Sequence, residues 1–173
     1  MDIKIRNEKE ADYLQIKKVN DLAFKQENEG ILVDKLRQNP KFIGELSIVA
    51  VFEDKVIGHI LFFPINIKDN EKTYPSLALA PMSVIPEFQS RGIGGQLIEY
   101  GLDRAKRLGF KSVIVLGHKD YYPKFGFKTA SRWNIKAPFD LPDDVFMAME
   151  LLENGLRGIS GVAEYPKEFE EVG

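Results

Sequence analysis

Apolar and polar residues change period several times along this chain, and each change marks an element. Ile3 and Ile5 alternate with polar neighbours in Asp2–Arg6, which predicts a short strand. Tyr13, Leu14, Ile16, Val19 and either Leu22 or Ala23 follow a helical period, predicting a helix over residues 10–24 with those side chains inward. A shorter helix is predicted over Ile31–Asn39, ended by Pro40. Ser47–Phe52 and Val56–Ile67 read as the strands of a hairpin around the charged turn Glu53–Asp54–Lys55, with Pro64 interrupting the second near its outer end. Tyr74–Ile85 is a third long apolar segment. Pro81 within it cannot donate to a ladder, so this strand is expected to be locally detached or bulged there.

The chain then runs through Val84–Ile85–Pro86–Glu87–Phe88–Gln89–Ser90–Arg91–Gly92–Ile93–Gly94–Gly95–Gln96–Leu97. A helix begins at Gly92 or Ile93 and ends near Leu108. Its inward stripe is Ile93, Leu97, Ile98, Leu102, Ala105 and Leu108, and Gly109 closes it. Lys111–Leu116 is a buried strand. Strand, helix and strand across residues 77–116 form a βαβ unit, so part of the sheet should be parallel. A turn at Gly117–Asp120, an aromatic cluster at Tyr121–Phe127 and a strand at Val145–Leu151 follow. Residues 153–173 are expected to be a loosely docked C-terminal extension. With no repeat and no linker, residues 1–173 read as one domain.

Composition narrows the function classes. With 44% hydrophobic and 29% charged residues, the chain can build a packed core. Its 24 basic and 26 acidic residues give a net charge of −2, which gives no support to a dedicated nucleic-acid partner. Met1–Arg6 alternates polar and apolar and lacks the apolar core of a signal peptide, and no apolar run approaches the roughly 18 residues of a membrane span, so no membrane partner is expected and a cytoplasmic location is the default. Cysteine is absent, which excludes disulfides, thiol nucleophiles and thiolate metal ligands. The only histidines, His59 and His118, make no metal-ligand signature, and no metal is expected.

The glycine-bearing turn is the first candidate for chemistry. Backbone N–H groups from Arg91 to Gln96 at a helix start make an anion site, and Gly92, Gly94 and Gly95 allow close approach. It is not a nucleotide-hydrolase loop, because no Gly-Lys-Ser/Thr follows. By spacing alone it is either an anion site or a glycine-eased connection that binds nothing.

Gln89–x–x–Gly92–x–Gly94, after a strand and opening a long helix, resembles motif A of the GCN5-related N-acetyltransferase (GNAT) superfamily. Tyr122–Pro123–Lys124–Phe125–Gly126–Phe127 resembles the family's motif B ending, and the run from Leu116 to Phe127 is most similar to its YhbS-like bacterial branch. The resemblance covers roughly residues 2–151. It implies an α/β (α+β) acyl-CoA N-acyltransferase fold, with a mixed central sheet that opens in a V and is flanked by helices. It implies acetyl-CoA as co-substrate. The backbone of Met82, Ser83 and Val84 would hold the pantetheine arm, and Gln89, Ser90, Arg91, Gly92, Ile93, Gly94, Gly95 and Gln96 would cradle the pyrophosphate. Tyr122 matches the family's general acid, with Tyr121 as its local competitor, and Phe125 would line the same site. The acceptor would be a small-molecule amine or a peptide amine, and a homodimer is common in the family.

Two departures matter. Many members carry an Asn where this chain has Val115, and many carry a glutamate base on the bulged strand, whereas residues 77–85 contain no acid. The base is therefore open among His118 (a residue type that titrates near neutrality), His59, Glu27, Glu29 and water. The first two helices and the loop at 134–144 would face the acceptor. Their acids, Glu27, Glu29, Asp34, Asp140, Asp143 and Asp144, suit a cationic amine. The alternatives to an N-acetyltransferase are a non-catalytic acyl-CoA-binding or regulatory module and a structural domain with an empty cleft.

Overall fold

The computed structural model describes residues 1–172. The chain divides into two compact units. The first holds Met1–Phe63, Ala80–Arg104 and the residues from Lys167 on, and the second holds Pro64–Leu79 and Ala105–Pro166. Two long strands, β3 (Lys55–Asp69) and β4 (Lys72–Val84), contribute a segment to each unit.

In the first unit β1 (Lys4–Asn7) pairs antiparallel with β2 (Ser47–Phe52), and β2 with β3. The turn between β2 and β3 puts Glu53 and Asp54 at φ 48° and 64°, the left-handed pair that matches strand twist in a two-residue hairpin. Helices α1 (Tyr13–Phe24) and α2 (Asn28–Arg37) cover one face. Ile16, Val19, Leu32, Val33 and Leu36 pack there against Val49, Leu61 and Phe63. The long amphipathic helix α3 (Ile93–Arg107) meets β3 at Gly101, where a Cβ would stand 2.1 Å from the Phe62 ring.

The inward face of α1 differs from the sequence expectation. Ile16, Val19 and Asn20 are buried, while Leu14 is 86% exposed and Leu22 faces solvent. The helix starts at Tyr13, after a 3-10 turn at Glu10–Asp12. Asp12 sets that start: it accepts the Lys9 N–H at 2.7 Å and pairs with Arg6 at 2.7 Å. The Arg6 hydrogen bond holds the Asp12 carboxyl below the usual carboxylate range.

In the second unit β5 (Ser112–Leu116) runs parallel to β4, pairing Leu77, Ala78 and Leu79 with Val113, Ile114 and Val115. That ladder ends at Leu79–Val115, two residues before Pro81, and β4 continues through the proline to Val84. β6 (Lys128–Thr129) and β5 both pair antiparallel with β8 (Phe146–Glu150). The C-terminal extension is not a loose tail. β9 (Gly161–Glu164) pairs antiparallel with Asn66–Lys68 of β3 and parallel with β7 (Ile135–Lys136). The one-turn α4 (Glu168–Glu171) then docks in the first unit. Asn39 donates to Glu168 at 2.9 Å, and Phe169 and Val172 pack against the α1–α2 core. Two apolar side chains and a ladder outweigh the glycine- and acid-rich composition that suggested looseness.

Candidate active site

In the first unit β4 leads through a 3-10 turn at Pro86–Phe88 into the glycine-bearing connection. Ile85 donates its N–H to the Ile57 carbonyl at 2.9 Å, so the exit from β4 is held against β3. Gln89 folds its side chain back and donates to the Val84 carbonyl at 2.9 Å. Its amide shapes the turn, which leaves the backbone beyond it facing out. Ser90 and Gly92 take left-handed conformations at φ 62° and 80°. Gly94 and Gly95 lie inside the first turn of α3, so of the three glycines only Gly92 uses its conformational freedom.

The first helical hydrogen bond of α3 runs from the Gln96 N–H to the Gly92 carbonyl at 3.1 Å. The N–H groups of Ile93, Gly94 and Gly95 therefore have no acceptor within the helix and point out of its start. Ile93 is buried and anchors this end, while Ser90, Arg91 and Gly92 are exposed. An added Cβ at Gly92 would meet nothing within 4 Å, so the outer surface of the turn is open. Arg91 lies over the Phe88 ring at 5.2 Å, which keeps its charge beside the turn. Oriented N–H groups, a helix dipole and a cation fit a pyrophosphate. On β4, Met82 is half-buried, while Ser83 and Val84 are buried. The Ser83 hydroxyl has no hydrogen-bond partner among the described residues.

Tyr122 and Phe125 lie in the second unit, on a 3-10 turn at Tyr122–Phe125. The Tyr122 ring meets Tyr121 and Phe127 edge-on at 5.2 and 5.7 Å. It also fills the space beside Gly117, where a Cβ would stand 2.3 Å from the ring. Tyr122 is 9% exposed, and burial, with Tyr121 adding to it, pushes its phenol up to about 12. Such a phenol keeps its proton at neutral pH, as a proton donor must. Tyr121 is half-buried and packs on Phe125 at 5.2 Å. Val115 lies buried in β5 and offers no polar group in place of the family's Asn.

The candidate bases separate clearly. His59 is fully buried on β3 and forms part of a polar network. Ser47 donates to Glu8 and lies 2.9 Å from His59 Nε2, so the imidazole donates from Nε2. Glu8 in turn takes two hydrogen bonds from Arg37, at 2.9 and 3.0 Å. Desolvation, with the Arg37 charge adding to it, pushes His59 down to about 3. Glu27 is paired with Lys17, and Glu29 accepts from Gln26. His118 is exposed, at the wall of an open surface cavity of about 460 Å³ lined by Leu116, Gly117, Lys119, Asp120, Asp144 and Val145. The sequence reading missed this cavity. Its walls lie some 25 residues apart and meet because β5 and β8 pair Leu116 with Phe146.

The fold is that of an acyl-group transferase, and the chain belongs to the Acetyltransferase (GNAT) family, whose sequence pattern matches residues 7–127. The chain is 36% identical to the uncharacterized N-acetyltransferase YjhQ of Escherichia coli strain K12, over 78% of this chain and 75% of YjhQ. It resembles the crystal structure of the E. coli GNAT family N-acetyltransferase YhbS in complex with CoA. That likeness has a TM-score of 0.92 at 27% identity, covering 99% of this chain and 93% of the other. A GNAT family acetyltransferase from Brucella melitensis in complex with acetyl-CoA matches with a TM-score of 0.78 at 30% identity, over 97% of this chain and 98% of the other. Among the described residues no helix is long and apolar enough to cross a membrane.

Proposed function

We propose that this protein moves the acetyl group of acetyl-CoA directly to a primary amine, with Tyr122 protonating the departing thiolate. The observation that carries the reading is Tyr122 itself, a buried phenol that keeps its proton and is held in place by the Gly117 gap. The free N–H groups of Ile93–Gly95 and the open space at Gly92 support acetyl-CoA as the co-substrate, as do relatives in complex with CoA and acetyl-CoA. Direct attack is favoured over a covalent route. The chain has no cysteine, and Ser83 has no base at its hydroxyl.

The neutral amine attacks the thioester carbonyl carbon, forming the C–N bond as the C–S bond breaks. Tyr122 gives its proton to the sulfur. The proton shed by the new amide nitrogen restores the phenol. A backbone N–H from Met82–Val84 would stabilise the carbonyl oxygen.

Tyr122→Phe removes the donor and keeps the ring. It should lower kcat by about 10²- to 10⁴-fold while acetyl-CoA affinity by calorimetry holds. Full turnover in that variant would rule out the role. The acid-free segment 77–85 favours a second reading, a non-catalytic acyl-CoA-binding module. That module would bind acetyl-CoA yet release no CoA thiol with any amine.

A further inference from the structure

We propose that the cavity at the carboxyl end of β5 receives the ammonium head of an alkyl amine acceptor, and that His118 takes its proton. This rests on the acetyltransferase reading of Tyr122 and deepens it.

The cavity wall and the general acid share one turn. The His118 carbonyl accepts the N–H groups of Tyr121 and Tyr122 at 3.1 and 3.3 Å, and Gly117 packs directly on the Tyr122 ring. The turn is pinned on its other side, where Gly117 donates to the Val145 carbonyl at 2.9 Å. Lys119 pairs with Asp144 at 3.3 Å, so those two charges offset each other. Asp120 has no ion-pair partner among the described residues. With a neutral imidazole the wall therefore carries one net negative charge, which suits a cation. Leu116 is 50% exposed there and, with Val145, offers an aliphatic surface to an alkyl chain. The depression is wide open to solvent, with about 460 Å³ of room, so it can receive the head and first carbons of an alkyl amine while the rest of the molecule stays outside. Of the two histidines only His118 is accessible, because His59 is sealed in its network.

The protons balance. An ammonium, R–NH₃⁺, gives one proton to the His118 imidazole and becomes the nucleophile. His118 passes that proton to solvent. The second leaves nitrogen as the amide forms and replaces the one Tyr122 gave to sulfur.

Because the chain has only two histidines, ring NMR of the ¹³C,¹⁵N-histidine-labelled protein reads the site without a known acceptor. With CoA bound at saturation, spermidine should shift the His118 ring signals and leave His59 unmoved, and propionate should shift neither. Asp120→Asn should weaken the spermidine response about fivefold or more. Where an amine supports turnover, His118→Ala should lower kcat/KM for it by about 10²-fold or more while acetyl-CoA affinity holds, and added imidazole should restore part of the rate. A silent His118, an equal response to propionate, or loss of activity that imidazole cannot restore overturns the inference. If the wild type binds acetyl-CoA and His118 stays silent, only this inference falls. If calorimetry shows no acetyl-CoA binding, the acetyltransferase reading falls with it.

Discussion

Lowering the pH should destabilise this protein through His59 well before its carboxylates protonate. The ring is 0% exposed and hydrogen-bonded only at Nε2, and Nδ1 is buried with no partner among the described residues. Ser47 contacts the ring from β2, Val49 faces it across the ladder, Glu8 lies behind Ser47, and Arg37 of α2 adds a positive charge. A proton on this ring would be desolvated and repelled, so the folded state refuses it down to about pH 3, whereas an unfolded histidine accepts it near 6.5. Above pH 6.5 neither state is protonated. Between 6.5 and 3 only the unfolded state is, so stability falls as pH falls, by up to about 1.4 kcal/mol per pH unit. From pH 7.5 to 5.0 the loss comes to about 2 kcal/mol, or a fall in Tm of roughly 4–8 °C for a chain of this size. Urea unfolding of the wild type and of His59→Gln at both pH values is the assay. The variant should be less stable at pH 7.5 but should lose about 2 kcal/mol less on acidification. A wild type whose stability is flat between pH 7.5 and 5.0, or a variant with the same loss, would refute the reasoning.

Other consequences follow from the same contacts. Arg37→Ala strands the Glu8 carboxylate, which is 4% exposed, and should cost about 3–5 kcal/mol in urea unfolding, whereas the paired replacement Glu8→Gln with Arg37→Met should recover much of it. Gly117→Ala drives a methyl into the Tyr122 ring and should lower kcat by about 10²-fold through displaced geometry, with acetyl-CoA affinity retained; unaltered turnover would show that the Gly117 gap does not position the phenol.

Much of the local geometry of the candidate site was legible in the sequence because it depends on near neighbours. The Gln89–Gly94 pattern places a turn and a helix start within six residues, and helix geometry alone then frees the N–H groups of Ile93–Gly95. Tyr122 and Gly126–Phe127 are likewise read from one short run. The finer use of these residues was not legible. Only Gly92 exploits positive φ, and the Gln89 side chain turns back on Val84. Leu14 fits a helical stripe on paper but lies on the opposite side of α1 from Ile16, where no element covers it.

By itself the sequence determined the order of β1 to β5 with α1 to α3, the strand at β8, the βαβ crossover and the positions of the glycine turn and the tyrosine, but not the short β6 and β7 or the C-terminal β9 and α4. Period, turn chemistry and motif spacing all depend on neighbours within a few residues. Only the tertiary structure decided which of two histidines is available. Glu8, Arg37, Ser47 and His59 are scattered along the chain, and β1, α2, β2 and β3 bring them into one buried network. The pairing of β5 with β8 instead leaves His118 at an open wall with Asp120 and Asp144. Burial sets the chemistry of each ring, and burial follows from which distant segments the sheet places side by side.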